Sequence, residues 1–226
     1  MRVEVLSSVT GELAEQLWDL YLGAFSPLAA LAAARHLLTR EELDAELVDP
    51  RIDKIVGFAE DGGPVGFFTR TRDASAVPWI SGDAYRIRFP EQAATGRLYF
   101  LPILAIAPEF QGRGHGVRLV ERAFAEPAAA GAVVAWDVAG ANAEVQHIVA
   151  RVVAIAHRLR PARLQVVDIQ TYYALDFADP DDGLVVLSGD PRVVALDDGD
   201  NQMTGLDVNV SASESGTAES GGAGRA

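Results

Sequence analysis

The sequence predicts an α/β protein with a mixed central sheet flanked by helices, on three observations. Two β-rich runs, Lys54–Glu60 and Val65–Arg72, flank the turn-forming Asp61-Gly62-Gly63-Pro64 and read as an antiparallel hairpin. Arg97–Ala107 is nearly all apolar, and a glycine-rich turn, Gln111–Gly116, then a helix-periodic stretch to Ala130 follow it, giving strand, loop and helix in succession. Beyond that, β-rich and amphipathic stretches alternate.

The elements follow in order. Val3–Leu6 is a short opening strand, and Thr10 is placed to cap a helix whose Leu13, Leu17, Leu20, Tyr21 and Phe25 share one face. Ser26-Pro27 offers a cap and a first-turn proline for an alanine-rich helix to about Leu38, and Thr39-Arg40-Glu41-Glu42 is a capping-box pattern for a helix to Leu47. After the hairpin, Asp73–Gly96 is less regular; its Trp79, Tyr85, Arg86, Arg88 and Phe89 suit a substrate entrance or an insertion packing its aromatics on the core. Arg97–Ala107 reads as a strand buried on both faces, and Pro102 inside it demands a bulge or a diverging neighbour, because proline donates no ladder hydrogen bond. Pro108 ends that strand, and Val117–Ala130 forms the next helix. Ala132–Val138 is a strand, Asn142–Leu159 a helix with a stripe of Val145, Ile148, Val149, Val152 and Ile155, and Arg163–Tyr173 and Leu184–Ser188 two further strands.

Composition bounds the chemistry. The chain has 226 residues, 49% of them hydrophobic, enough for one domain over residues 1–190 with an acidic, Ser/Gly-rich and disordered tail over 191–226. No apolar run approaches the ~20 residues of a membrane span, and Met1–Thr10 carries no secretory pattern, so a cytoplasmic protein without membrane association is expected. Cysteine is absent, which excludes disulfides, thiolate ligands and a cysteine nucleophile, and His36, His115, His147 and His157 have no metal-ligand spacing. Of the net charge of -13, -9 belongs to the residues from Asp176 onward, so the acidity is mostly a C-terminal property, and direct nucleic-acid binding is not expected.

Gln111-Gly112-Arg113-Gly114-His115-Gly116 lies between a buried strand and a helix, where successive backbone amides and the helix dipole converge on an anion. Glycines at 112, 114 and 116 allow close approach of a ligand, and Arg113 adds a charged contact to a phosphate; the same string also serves as a plain tight connection. It is neither G-x-x-x-x-G-K-[ST] nor G-x-G-x-x-G, and its strand is not the first of the chain, which disfavours nucleotide hydrolysis and a dinucleotide fold.

The string Leu104–Gly116, with its complete match to [R/Q]-x-x-G-x-[G/A], resembles the acyl-CoA signature of the GNAT superfamily of N-acetyltransferases, and the element order over residues 3–190 resembles that fold. The resemblance implies acetyl-CoA or another acyl-CoA as co-substrate and no metal. It implies that backbone groups near Leu104 and Ile106 pair with the pantetheine arm and help polarise the thioester carbonyl. It further implies that amides from Gln111 to Gly116 hold the pyrophosphate and that Asn142 contacts the coenzyme, although Asn142 also suits a helix cap. The implied acceptor is a primary amine of a small molecule or peptide, and pairing of sheet edges into a homodimer is common in proteins of this resemblance.

The sequence departs from the pattern at the reacting centre. The strand position that carries a base glutamate in some members is Phe100, and the helix position of the usual tyrosine acid aligns with Val149. His147 and Tyr99 are the candidates to move protons instead, with Asp137, Tyr172 and Tyr173 behind them; each also has a plain reading as a surface, strand or turn residue. Three functions are therefore expected in turn: transfer of a small acyl group to an amine, acyl-CoA processing such as decarboxylation or transfer to a hydroxyl, and acyl-CoA binding without turnover.

Overall fold

The computed structural model describes residues 1–30, 37–139 and 148–170, all within one compact unit, Met1–Tyr172. Its sheet runs β1 (Arg2–Leu6), β2 (Ile52–Phe58), β3 (Pro64–Thr71), β4 (Leu98–Phe100) and β6 (Val133–Ala135), with β5 (Leu104–Ile106) pairing on β3. The β1–β2, β2–β3, β3–β4 and β3–β5 pairs are antiparallel and β4–β6 is parallel, so the sheet is mixed. Helices cover both faces. On one, α1 (Glu12–Phe25) and α2 (Arg40–Val48) enclose Leu17, Tyr21, Leu43, Leu47, Phe67, Ile103 and Ala105. On the other, α5 (His115–Ala130) and α6 (Ile148–Leu159) pack on Ile55, Phe68, Leu101, Leu119, Phe124, Val152 and Ile155. Among the described residues no helix is long and apolar enough to cross a membrane, and no group of His, Asp and Glu is arranged to hold a metal ion.

The capping box at α2 forms: Glu42 N donates to Thr39 Oγ1 at 3.3 Å and Thr39 N to Glu42 Oε2 at 2.7 Å. At α1 the expected cap moves by one residue. Gly11, at φ 65°, takes the N-cap with no side-chain hydrogen bond, and Thr10 does not cap. Ser26 ends α1 and opens a 3-10 turn, Ser26–Ala30, in place of the expected α-helical start; residues 31–36 lie outside the described set. The Asp73–Gly96 segment contains two short helices, α3 (Gly82–Arg88) and α4 (Pro90–Ala94), and both readings of its aromatics have a share. Tyr85 and Phe89 pack on Phe100, while Trp79 stays 49% exposed.

The expected strand Arg97–Ala107 is two strands, and the interruption surrounds Pro102. Thr71 pairs with Phe100 and Phe68 with Leu104, so Thr69 and Arg70 stand opposite Leu101, Pro102 and Ile103, a bulge of one residue. The extra residue reverses the facing of everything after it. Leu101 points to the α5 side and Ile103 to the α1/α2 side, although in an unbroken strand the two would share a face.

The second departure is Arg163–Tyr173, whose described part, residues 163–170, forms no ladder. Leu164, Val166 and Ile169 are exposed there, and Arg88 Nη1 reaches the Val167 carbonyl at 2.7 Å. β-forming side chains make a strand only where a neighbouring strand takes up their backbone groups. The expected strand Leu184–Ser188 and the tail 191–226 lie outside the described residues.

Candidate functional site

The site is assembled from the open edge of β5 and the loop that follows it. Hydrogen bonds from Ala107 N to Val65 O and from Thr69 N to Ile103 O, both 3.0 Å, fix the residues of this stretch that turn towards β3. Antiparallel ladders alternate, so residues 103, 105 and 107 bond to β3 while the N–H and C=O groups of Leu104 and Ile106 turn the other way. On that side no described strand pairs with β5. β6 stays with β4 through Ala135, whose carbonyl accepts from Leu101 N at 3.0 Å, and its ladder ends there. Among the described residues nothing after Ala135 pairs with β5, which leaves a gap in the ladder edged by the backbone of Leu104 and Ile106.

The loop closes one end of this gap. Gln111 Nε2 donates to the Ile106 carbonyl at 3.1 Å and ties the turn to β5. Gly112 and Gly114 have φ 72° and 81°, conformations that L side chains rarely adopt, and a Cβ at either would meet nothing within 4 Å. Both glycines thus face open space. Gly116 differs, since its φ is not positive and a Cβ there would make ordinary contact with Ile106 Cγ1 at 3.7 Å. No side chain caps α5 at Gly114, so the first amides of the helix remain available to an anion. Arg113 is exposed and has no ion-pair partner among the described residues, and half-buried His115 meets the Phe110 ring edge-on at 5.5 Å.

Among the described proton-moving candidates, Tyr99 lies away from this loop. Tyr99 is 3% exposed on the α5 side of β4, and its hydroxyl donates to Glu126 Oε1 at 3.0 Å. Glu126 lies eleven residues after His115, about 16 Å along the helix from the loop. Arg70 and Arg72 flank the Tyr99 ring, Arg70 Nη2 contacts Asp53 at 2.6 Å and Glu126 at 2.7 Å, and Arg72 also pairs with Glu126. Burial, then the bond to Glu126, pushes the Tyr99 phenol up, whereas Glu126, although burial alone raises it, is held down by Tyr99 and the two arginines. A cavity of about 340 Å³ lies beside this network. Phe100 is 2% exposed beneath Tyr85 and Phe89; Val149 is half-buried and Asp137 exposed. Asn142, His147, Tyr172 and Tyr173 lie outside the described residues.

Sequence reasoning passed over a second buried polar group, Glu46 with Lys54 and Thr69, on the α2 side of the sheet. The signal was present: Leu43, Glu46 and Leu47 recur at helical spacing, which puts an acid on the apolar stripe of α2, and Lys54 alternates with Ile52 and Val56 on one face of β2.

Fold and site together define an α/β protein with a splayed mixed sheet and a glycine loop suited to an anion. No protein-family model matches the chain, and no curated protein matches it. Solved structures similar to it include an aminoglycoside acetyltransferase from an uncultured soil metagenomic sample, in complex with sisomicin, at 19% identity over 77% of this chain and 96% of that one, with TM-score 0.44. GCN5 from Tetrahymena is 14% identical over 67% of this chain and 78% of that one, with TM-score 0.43. A GNAT family acetyltransferase from Brucella melitensis, in complex with acetyl-CoA, is 18% identical over 62% of this chain and 79% of that one, with TM-score 0.35.

Proposed function

We propose that this protein is a GNAT-type acyltransferase that moves an acetyl or other small acyl group from acyl-CoA to a primary amine of a small molecule or peptide. The observation that carries the reading is the junction of β5 and α5: an unpaired strand edge leading into a left-handed glycine turn and an uncapped helix N-terminus. Amides from Gln111 to Gly116, with Arg113, hold the pyrophosphate, and the outward groups of Leu104 and Ile106 hold the pantetheine arm. A Leu104 or Ile106 N–H directed into the gap also polarises the thioester carbonyl. The amine nitrogen attacks that carbon, the C–S bond breaks, the thiolate leaves, and the amine proton passes to solvent or to His147. Asn142 is assigned a further coenzyme contact. Tyr99 is assigned to the ion network on the α5 side, because its hydroxyl is committed to Glu126.

Phe100 favours a second reading. With this residue buried under Tyr85 and Phe89, the strand position that would supply a base is apolar, which suits acyl-CoA processing without an amine, or binding alone.

Calorimetric titration with acetyl-CoA and CoA tests the site. A bulky residue at Gly114 strains the left-handed turn by roughly 1–2 kcal/mol and fills the open space before the helix, so binding is expected to be lost while the fold persists. Unchanged affinity would sink the phosphate assignment. Thiol release that requires an added amine supports transfer; release without one supports the second reading.

A further inference from the structure

Glu46 occupies a buried position on the apolar stripe of α2. It is 8% exposed between Leu43 and Leu47, and its Oε1 has no hydrogen-bond partner among the described residues. A carboxyl kept in such a place carries a desolvation cost that ordinary packing does not repay. Its surroundings are specific. Lys54, fully buried on β2, donates from Nζ to the carbonyls of Ser7 at 3.0 Å and Asp49 at 2.6 Å, and it is the cross-strand neighbour of Thr69. Thr69 Oγ1 accepts from the amide of Ile103 at 3.0 Å, in a buried bond. An unbroken ladder would give that amide to a backbone carbonyl of β3. The hydroxyl takes the carbonyl's place at the residue where the bulge ends and β5 begins.

A hydroxyl that accepts from Ile103 must direct its own proton elsewhere, and Glu46 is the buried carboxyl on the same side of the sheet, whose pKa the Thr69 hydroxyl and the neighbouring Lys54 both hold down against burial. We propose that Glu46 is a positioning residue for acyl transfer, acting through the Thr69 hydroxyl to fix the Ile103 amide and hence the strand edge that begins at Leu104. The inference rests on the reading given under Proposed function. Protonation of Glu46 removes the negative charge that orients the Thr69 hydroxyl proton, so the bulge senses the charge of the carboxyl. Charged groups acting on this cluster are Lys54 from β2 and Asp49 at the end of α2, with Asp53 acting on Lys54 from the opposite face of β2, where it pairs with Arg70. Burial pushes Glu46 up to about 7 and Lys54 down to about 8, which brings both titrations near neutrality.

The test uses the full chain and two readouts. In amide NMR across neutral pH, the Ile103 signal is expected to titrate with a midpoint of about 7 in the native protein. It should be flat in Glu46→Gln and Thr69→Val, and titrate again in Thr69→Ser, which restores the hydroxyl. In thiol-release assays, Glu46→Gln is expected to lower kcat roughly tenfold, leave the KM for acetyl-CoA unchanged and remove one limb of the pH–rate profile. An Ile103 signal that behaves alike in native protein and Glu46→Gln overturns the inference, as does native turnover that Glu46→Gln leaves unaltered in rate and pH profile. Native protein that binds acetyl-CoA and releases no thiol with any amine overturns the transfer reading instead, with the Ile103 titration still deciding whether Glu46 holds the bulge.

Discussion

On the α5 side of the sheet, Arg70 is 4% exposed and its guanidinium meets Asp53, Glu126 and the Ala123 carbonyl; on the α2 side, Glu46 is almost as deeply buried and one of its oxygens meets nothing among the described residues. The first charge is surrounded by acceptors whose other sides reach water, since the Asp53 and Glu126 side chains are 42% and 43% exposed. The second sits among leucines with a hydroxyl and a lysine for company. Compensated burial of this kind makes a rigid joint, here between β3 and the last turns of α5. Incompletely compensated burial makes a group whose charge is sensitive to its surroundings, and such groups cluster where proteins do chemistry.

The largest effect that would sharpen this contrast is expected from Arg70→Ala. It leaves two carboxylates facing each other and a buried carbonyl without its donor, at a cost of about 3 kcal/mol, the low end for a broken buried pair because both acids keep access to water. Urea unfolding measures it, and a cost below about 1 kcal/mol would mean that the network adds little beyond a surface pair.

Next comes the pH dependence of stability through Glu46. Its folded value, about 7, lies above the ordinary 4.5, so the folded protein binds this proton more tightly than the unfolded chain does. The resulting stabilisation is complete below pH 4.5 and lost as the pH rises through 7, about 3 kcal/mol in all. Glu46→Gln cannot ionise, so its stability should fall less across that window and exceed that of the native protein on the alkaline side. Parallel curves for the two proteins from thermal melts would show that the carboxyl is not buried as described.

The smallest effect is expected from Tyr99→Phe. It removes one hydrogen bond to a carboxylate that two arginines still hold, about 1 kcal/mol by urea midpoint, with acetyl-CoA affinity unchanged because the loop lies at the far end of α5. A loss of affinity would reconnect the two ends of the helix.

What the sequence disclosed divides along similar lines. The Asp61–Pro64 turn, the Thr39 capping box and the glycine loop are local devices, each readable because its residues contact one another within a few positions. Pro102 announced an irregularity, but its form depended on Thr69, more than thirty residues earlier, offering a hydroxyl to Ile103. Residues 163–170 have the side chains of a strand and lack a ladder, since pairing is a property of the neighbour as much as of the segment. Tyr99 was legible as a polar aromatic in an apolar strand, yet its role waited on Glu126, brought over it by α5. Long-range partners were the hidden part, both in the fold and at the site.

The bulge opposite Thr69 and Arg70 amounts to a single surplus residue. Deleting Pro102 would let β4 and β5 fuse into one straight strand, with Leu101 and Ile103 as consecutive residues keeping the opposite faces they hold now, and bring the next edge groups into register with β6. The gap between the strands is thus encoded by length as much as by residue type, and a chain one residue shorter would retain the glycine turn while closing the cleft that the turn serves.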